Sequence, residues 1–308
     1  MKREYILPCA IIALVAAAVA VAYLHTANIP VLEPAGPVAL AERSVIIVTL
    51  LLCAIVVVPV FFLLFFFAWK YRARSPDVHV HHRPNWDHDS KAAEFAWWLV
   101  PTAIIAVLGV IMWQSSHALD PYKPLEGNGT ITVEVVALDW KWLFIYPELN
   151  IASVNLLEFP ENVPVHFELT ADSPMNSFWI PSLGGQIMVM PGMQTQLNLM
   201  ASRIGTFDGS SANISGAGFS GMAFSVKSVS PADFENWVNA IRVSQNPLTP
   251  AVYVALAQPS TYNPVAYYSP VDADLYTAVM SKFMQPQQVA GSAMNDMPID
   301  MSTSTTTP

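Results

Sequence analysis

The sequence predicts a transmembrane α-helical hairpin followed by an all-β sandwich with a short helical C-terminal extension. Three observations carry that expectation. Hydrophobic residues make up 53% of the 308 positions and charged residues only 12%, about half the charged share of an ordinary soluble domain. Two long apolar runs, Val45 to Trp69 and Phe95 to Trp113, are separated by a polar loop. Beyond residue 130 the pattern changes to short β-branched and aromatic runs broken by turn residues.

Each apolar run is long enough, or nearly so, for a bilayer core that needs about 20 helical residues. Pro59 and Pro101 interrupt them, which packed neighbouring helices tolerate. An earlier run, Tyr5 to Leu24, follows Lys2 and Arg3, and residues 1–27 read as a signal peptide or an N-terminal anchor. The loop 70–94 carries Lys70, Arg72, Arg74, Arg83 and Lys91, whereas the segment 25–44 carries only Arg43. The positive-inside rule therefore puts 70–94 in the cytoplasm. Segments 44–69 and 95–114 become the two spans, and 28–43 and everything beyond 115 lie on the periplasmic side.

Charge supports this division. Residues from 115 onward hold 6 basic and 16 acidic side chains, and residues 1–114 hold 8 and 7. An acidic outer half lacks the basic footprint that nucleic acid requires.

Within 115–230 the strand candidates are Thr130–Ala137, Trp140–Tyr146, Val163–Thr170, Gln194–Met200 and Met222–Val229. Pro231–Ser244 reads as a helix, with Ser230 as its N-cap and Asp233 and Glu235 in its first turn. A proline- and tyrosine-rich stretch and a short helix from about Asp272 to Met284 complete an extension over 231–284. Residues 285–308 are rich in Ser, Thr, Pro, Met and Gln, a composition that predicts a disordered tail.

Candidate metal ligands are few. Cys9 and Cys53 both fall inside apolar runs and read as small buried hydrophobes rather than a disulfide or a ligand pair. His79, His81, His82 and His88 cluster in the cytoplasmic loop, where a solvated loop is the simpler reading than a zinc or nickel cage. Met294, Met297 and Met301 offer thioethers for weak copper binding. Outside the loop the histidines are His25, His117 and His166, which form no recognisable Ser-His-Asp set, so a hydrolase finds no support.

Three segments together carry a family resemblance: Ala92-Ala-Glu-Phe-Ala-Trp-Trp-Leu-Val-Pro101, Val135-Val-Ala-Leu-Asp-Trp-Lys-Trp-Leu-Phe-Ile-Tyr146 and Asn176-Ser-Phe-Trp-Ile-Pro-Ser-Leu-Gly184. They resemble subunit II of the haem–copper respiratory oxidases, over roughly residues 30–284. The resemblance implies that the β domain is a cupredoxin-like sandwich. In the cytochrome c oxidase branch it holds two copper ions through one histidine and a loop of the form C-S-E-x-C-G-x-x-H-x-x-M. Here the first position is Asn176, and the loop runs from Ser211 to Met222. Ser211 and Ser215 replace the cysteines, Asn213 the glutamate and Phe219 the second histidine; Met222 alone matches. Paired copper needs soft bridging thiolates, which hydroxyls cannot replace.

That pattern resembles the copper-less ubiquinol oxidase branch. It implies a subunit that binds no cofactor of its own, in a bacterial inner-membrane complex with subunits I, III and IV. Haems and one copper would sit in subunit I, and the complex would oxidise ubiquinol, reduce dioxygen to water and pump protons. Glu94, in a Glu-x-x-Trp-x-x-x-Pro frame, is the proton-entry candidate. Trp140 and Trp142 are candidates for aromatics at a subunit interface. Better-known relatives carry a lipidated cysteine six residues before an Asp-Pro; here Ala27 precedes Glu33-Pro34, so the resemblance does not carry lipidation to this chain. The alternative reading is a cupredoxin-like membrane assembly factor or periplasmic binding module.

Overall fold

The computed structural model describes residues 29–71, 91–127 and 129–284. The histidine cluster, the N-terminal run with Cys9 and the methionine-bearing tail lie outside these residues.

Helix α1 spans Pro37–Lys70 and α2 spans Lys91–Ala118. Both are apolar over most of their length and long enough to cross a membrane. Phe61, Phe65, Trp97, Trp98 and Trp113 all stand exposed on their surfaces, faces suited to lipid or to other membrane helices. Helix α1 starts at Pro37, ahead of the apolar run and inside the stretch 28–43 that the sequence reads as an external segment. Hydropathy fades at Glu42 and Arg43, but Val38, Ala39, Leu40 and Ala41 include no helix breaker. Pro37 suits the first helical position, where its missing N–H costs nothing.

The entry of α1 is bonded to the β domain. Ala35 N–H donates to the Ser182 carbonyl (2.7 Å), Ser202 N–H donates to the Ala35 carbonyl (2.7 Å), and Ala39 N–H donates to the Leu183 carbonyl (3.1 Å). The last of these satisfies a first-turn N–H that has no partner within the helix. Gly36 sits so close to the Met200 carbonyl oxygen that any Cβ would collide with it.

The β domain is a sandwich of two sheets. Its strands are β1 Ile131–Leu138, β2 Lys141–Tyr146, β3 Ile151–Val154, β4 Leu156–Pro160, β5 Val165–Ala171, β6 Asn176–Trp179, β7 Ile187–Val189, β8 Thr195–Leu199, β9 Gly205–Ser211, β10 Ala223–Val229 and β11 Ala266–Tyr268. One sheet has the order β11-β3-β2-β1-β5-β8 and the other β4-β10-β9-β6-β7. Two pairs are parallel, β1 with β5 and β4 with β10; the rest are antiparallel. Aromatic rings fill the space between the sheets. Phe178 and Phe224 stack at 5.2 Å, with Trp142 edge-on to both at 5.3 and 5.7 Å, a geometry that adds to the gain from burial alone.

Helix α3, Pro231–Val243, is capped as the sequence predicts: Ser230 Oγ accepts from Asp233 N–H at 3.2 Å. Phe234, Val238 and Ile241 pack on the core. Helix α4, Pro250–Leu256, lies within the proline-rich stretch, where the sequence predicts no helix; Thr249 caps it. Helix α5 spans Leu275–Ser281, shorter at both ends than the expected Asp272–Met284.

The extension covers the outer face of the six-stranded sheet. Leu248, Tyr253, Leu275, Tyr276 and Val279 pack on Val136, Leu138, Leu143, Ile145, Ala152 and Val154. Strand β2 is therefore buried on both faces along its whole length, which explains why Lys-Trp-Leu-Phe-Ile-Tyr lacks polar alternation.

Candidate functional site

The positions that the family resemblance singles out gather at one end of the five-stranded sheet. Strand β6 supplies Asn176 at its first residue, β9 supplies Ser211 at its last, and the connection to β10 carries the rest of the loop. Asn176 and Ser211 are buried. Ser211 Oγ lies 3.1 Å from Asn176 Oδ1 and 3.1 Å from the Asn213 carbonyl oxygen. It also lies 3.4 Å from the N–H groups of Ser177 and Asn213, from which it accepts. Asn176 Nδ2 donates to Ser173 Oγ (3.0 Å) and to the Pro174 carbonyl (2.8 Å). Asn213 Nδ2 donates to the Met175 carbonyl (2.8 Å).

This trio is a hydrogen-bond network. Ser211 Oγ and Asn176 Oδ1 are hard, neutral and bonded to each other, so the donor set does not fit copper. Met222 sits beside it, with its carbonyl accepting from Ser211 N–H at 3.3 Å, and its side chain belongs to the apolar core. Ser215 and Phe219 take no side-chain part in the network; the Ser215 hydroxyl is buried without a partner. Among the described residues, no three His, Cys, Asp or Glu side chains are grouped as a metal would need.

Trp140 occupies the β1–β2 turn in a left-handed conformation, φ 61°. Its ring lies against Gly216 and Gly218, and a Cβ on Gly218 would collide with it. The glycines let the loop 211–222 close over the indole. Trp140 is half-buried and stays a candidate for contact with another subunit. Trp142 corrects the expectation of two interface aromatics. It is 0% exposed, because its side chain points inward between the sheets, where Phe178 and Phe224 enclose it. Glu94 stands exposed in the first turn of α2.

Sequence reasoning passed over Lys141, although a lysine within Trp-Lys-Trp in an apolar strand was a visible signal. Lys141 is 2% exposed. Its ammonium donates to the Gln258 carbonyl (2.8 Å) and to Ser260 Oγ. Burial lowers its pKa, and Asp139 partly restores it. Asn155 Nδ2 donates to the Asn263 carbonyl (3.0 Å). Together these bonds pin residues 258–263 across the top of the domain, where Thr261 meets Gly218 and Tyr262 meets Gly221. A loop of the extension thus lies on the loop 211–222. Glu42 was also missed: its Oε1 accepts from Gly185 N–H at 2.9 Å, tying α1 to the sandwich.

Residues 148–229 match the family "Cytochrome C oxidase subunit II, periplasmic domain", and residues 242–287 match the "COX Aromatic Rich Motif". The chain is 46% identical over 261 residues to the cytochrome bo(3) ubiquinol oxidase subunit 2 of Pseudomonas putida, covering 84% of this chain and 82% of that protein. It is 43% identical over 267 residues to the protein of the same name from Pseudomonas aeruginosa, covering 86% and 80%. It is 42% identical over 283 residues to the ubiquinol oxidase subunit 2 of Acetobacter aceti, covering 88% and 91%. Identity of this order over most of both chains, on two membrane-length helices and a cupredoxin-like sandwich, leads to one conclusion: the chain belongs to the subunit II family of the haem–copper oxidases, in its ubiquinol oxidase branch.

Proposed function

We propose that the chain works as subunit II of a terminal oxidase in a bacterial inner membrane, in a complex that takes electrons from ubiquinol, reduces dioxygen to water and pumps protons. Its own part is structural. The helical hairpin packs on subunit I, the sandwich caps the complex on the periplasmic side, and subunits III and IV complete the assembly. The haems and one copper lie in subunit I.

The observation that carries this reading is the Asn176–Ser211–Asn213 network. It holds the loop by hydrogen bonds where the copper branch uses ligands. A chain without a metal port has no use for a water-soluble electron donor, whereas ubiquinol reaches the complex through the bilayer. Trp140 then serves as a packing aromatic rather than an electron relay. Glu94, at the cytoplasmic mouth of α2, collects protons from water for a channel into subunit I, the task of a carboxylate placed where a membrane segment meets water.

The test is to purify the tagged full-length chain from membranes. Co-purifying haem with ubiquinol oxidase activity, and no copper beyond that of subunit I, supports the proposal. A lone haem-free chain defeats it and favours an assembly factor.

A further inference from the structure

Beneath α5 the outer face of the six-stranded sheet carries polar groups that find no partner. Glu134 on β1 and Glu168 on β5 stand directly opposite each other in the parallel register. Like charges in that position repel. Tyr276 from α5 is 4% exposed, and its hydroxyl has no hydrogen-bond partner. Thr170, two residues beyond Glu168 on the same face, is fully buried with its hydroxyl also unpartnered. Unsatisfied buried groups of this kind call for a specific explanation.

Few charges surround the pair. On β5, His166 Nε2 lies 3.6 Å from Glu168 Oε1, and its Nδ1 is 2.9 Å from Asn198 Oδ1 on β8. Strand β8 places neutral Gln196 beside Glu168, and β2 places Ile145 beside Glu134. From α5 comes Tyr276. At the far end of that helix Lys282 pairs with Asp172 at 2.6 Å. Among the described residues, no Lys or Arg is paired with either glutamate.

We propose that Glu134, opposite Glu168, holds a proton while α5 is docked and that this proton lets α5 dock, making the C-terminal extension a pH-sensitive latch. That proton removes one of two like charges from a face that α5 covers with Leu275, Tyr276 and Val279. Burial first, and Glu168 second, raise Glu134 to about 7. When α5 lifts, water returns and the carboxyl moves back toward its ordinary range near 4.5. The docked state therefore binds more protons than the open one between these values. Docking is strongest at the acid end, weakens as pH rises toward 7, and changes no further above it.

Amide hydrogen exchange of residues 275–281 in the full-length chain tests this, with rates corrected for intrinsic pH dependence. Opening should rise between about pH 5 and 7, by at most about tenfold per unit, and then level off. Glu134→Gln, which mimics the protonated acid, should be protected and flat across that range. Unchanged protection at β2 reports that the variant is folded; if it is not, Glu168→Gln should give a shallower rise, because the neighbouring charge is gone while the burial of Glu134 remains. A flat wild-type profile, or a variant that keeps the wild-type slope, overturns the latch. Protection restored to the wild type by calcium alone above pH 7 overturns it in favour of a cation site.

Discussion

Ser211 Oγ and Asn176 Oδ1 lie 3.1 Å apart in the buried end of the five-stranded sheet, joining β6 to β9 where the loop 211–222 begins. Ser211→Ala should leave Asn176 Oδ1 and two N–H groups short of a partner and destabilise the domain by about 1–3 kcal/mol. Thermal unfolding of the purified chain measures this, and its copper content should not change.

Trp142 and Trp140 should respond oppositely to substitution. Trp142→Ala opens a cavity beside Phe178 and Phe224 and should cost about 3–5 kcal/mol, seen as loss of assembled, haem-bearing complex. Trp140→Phe keeps a ring against Gly216 and Gly218 and should leave ubiquinol turnover per haem unchanged. A sharp fall in turnover at equal haem content would make Trp140 an electron relay.

Lys141 gives the domain an alkaline signature. Its pKa is lowered by burial, so the unfolded chain binds more protons than the folded one between the lowered value and 10.5. Stability contributed by this group rises with pH through that window. Lys141→Met should abolish the rise in denaturation profiles. It should also release residues 258–263, which will become sensitive to protease.

Gly36 tests the bond between membrane anchor and sandwich. Gly36→Ala forces a methyl onto the Met200 carbonyl, a backbone atom that cannot rotate away. The cost should be about 1–3 kcal/mol, and the hydrogen bonds of Ala35 to Ser182 and Ser202 should be lost. Faster amide exchange at Ser202, with exchange in β2 unchanged, would report it.

Glu94→Gln should slow ubiquinol oxidation and proton uptake in reconstituted vesicles. Unchanged rates for both would remove Glu94 from proton entry.

The sequence made some of this architecture legible and hid the rest for identifiable reasons. Strands β1, β2, β5 and β10 showed themselves through Val, Ile, Phe and Trp, and β8 as a short run between turn residues without any of the four. Strand β9, Gly-Thr-Phe-Asp-Gly-Ser-Ser, did not, because its glycines read as turn residues; Gly209 is there because the Phe224 ring lies on it. Helix α4 was masked by the prolines around it, one of which only sets its first turn. Asn176 and the positions of the loop 211–222 were readable one by one, since the family resemblance rests on short stretches of sequence. The network joining three of them was not, nor was the burial of Trp142, because both depend on segments that arrive from 35 or more positions away.

The two-sided burial of β2 sets a practical boundary for anyone who wants the outer domain as a soluble fragment. Ending it after β10 would omit the edge strand β11, strip the cover from Leu143, Ile145 and Val136 and leave an apolar wall facing water. Such a fragment should clump. One that runs on through Met284 keeps all three layers, and its solubility should depend on that added stretch more than on anything in the strands before it.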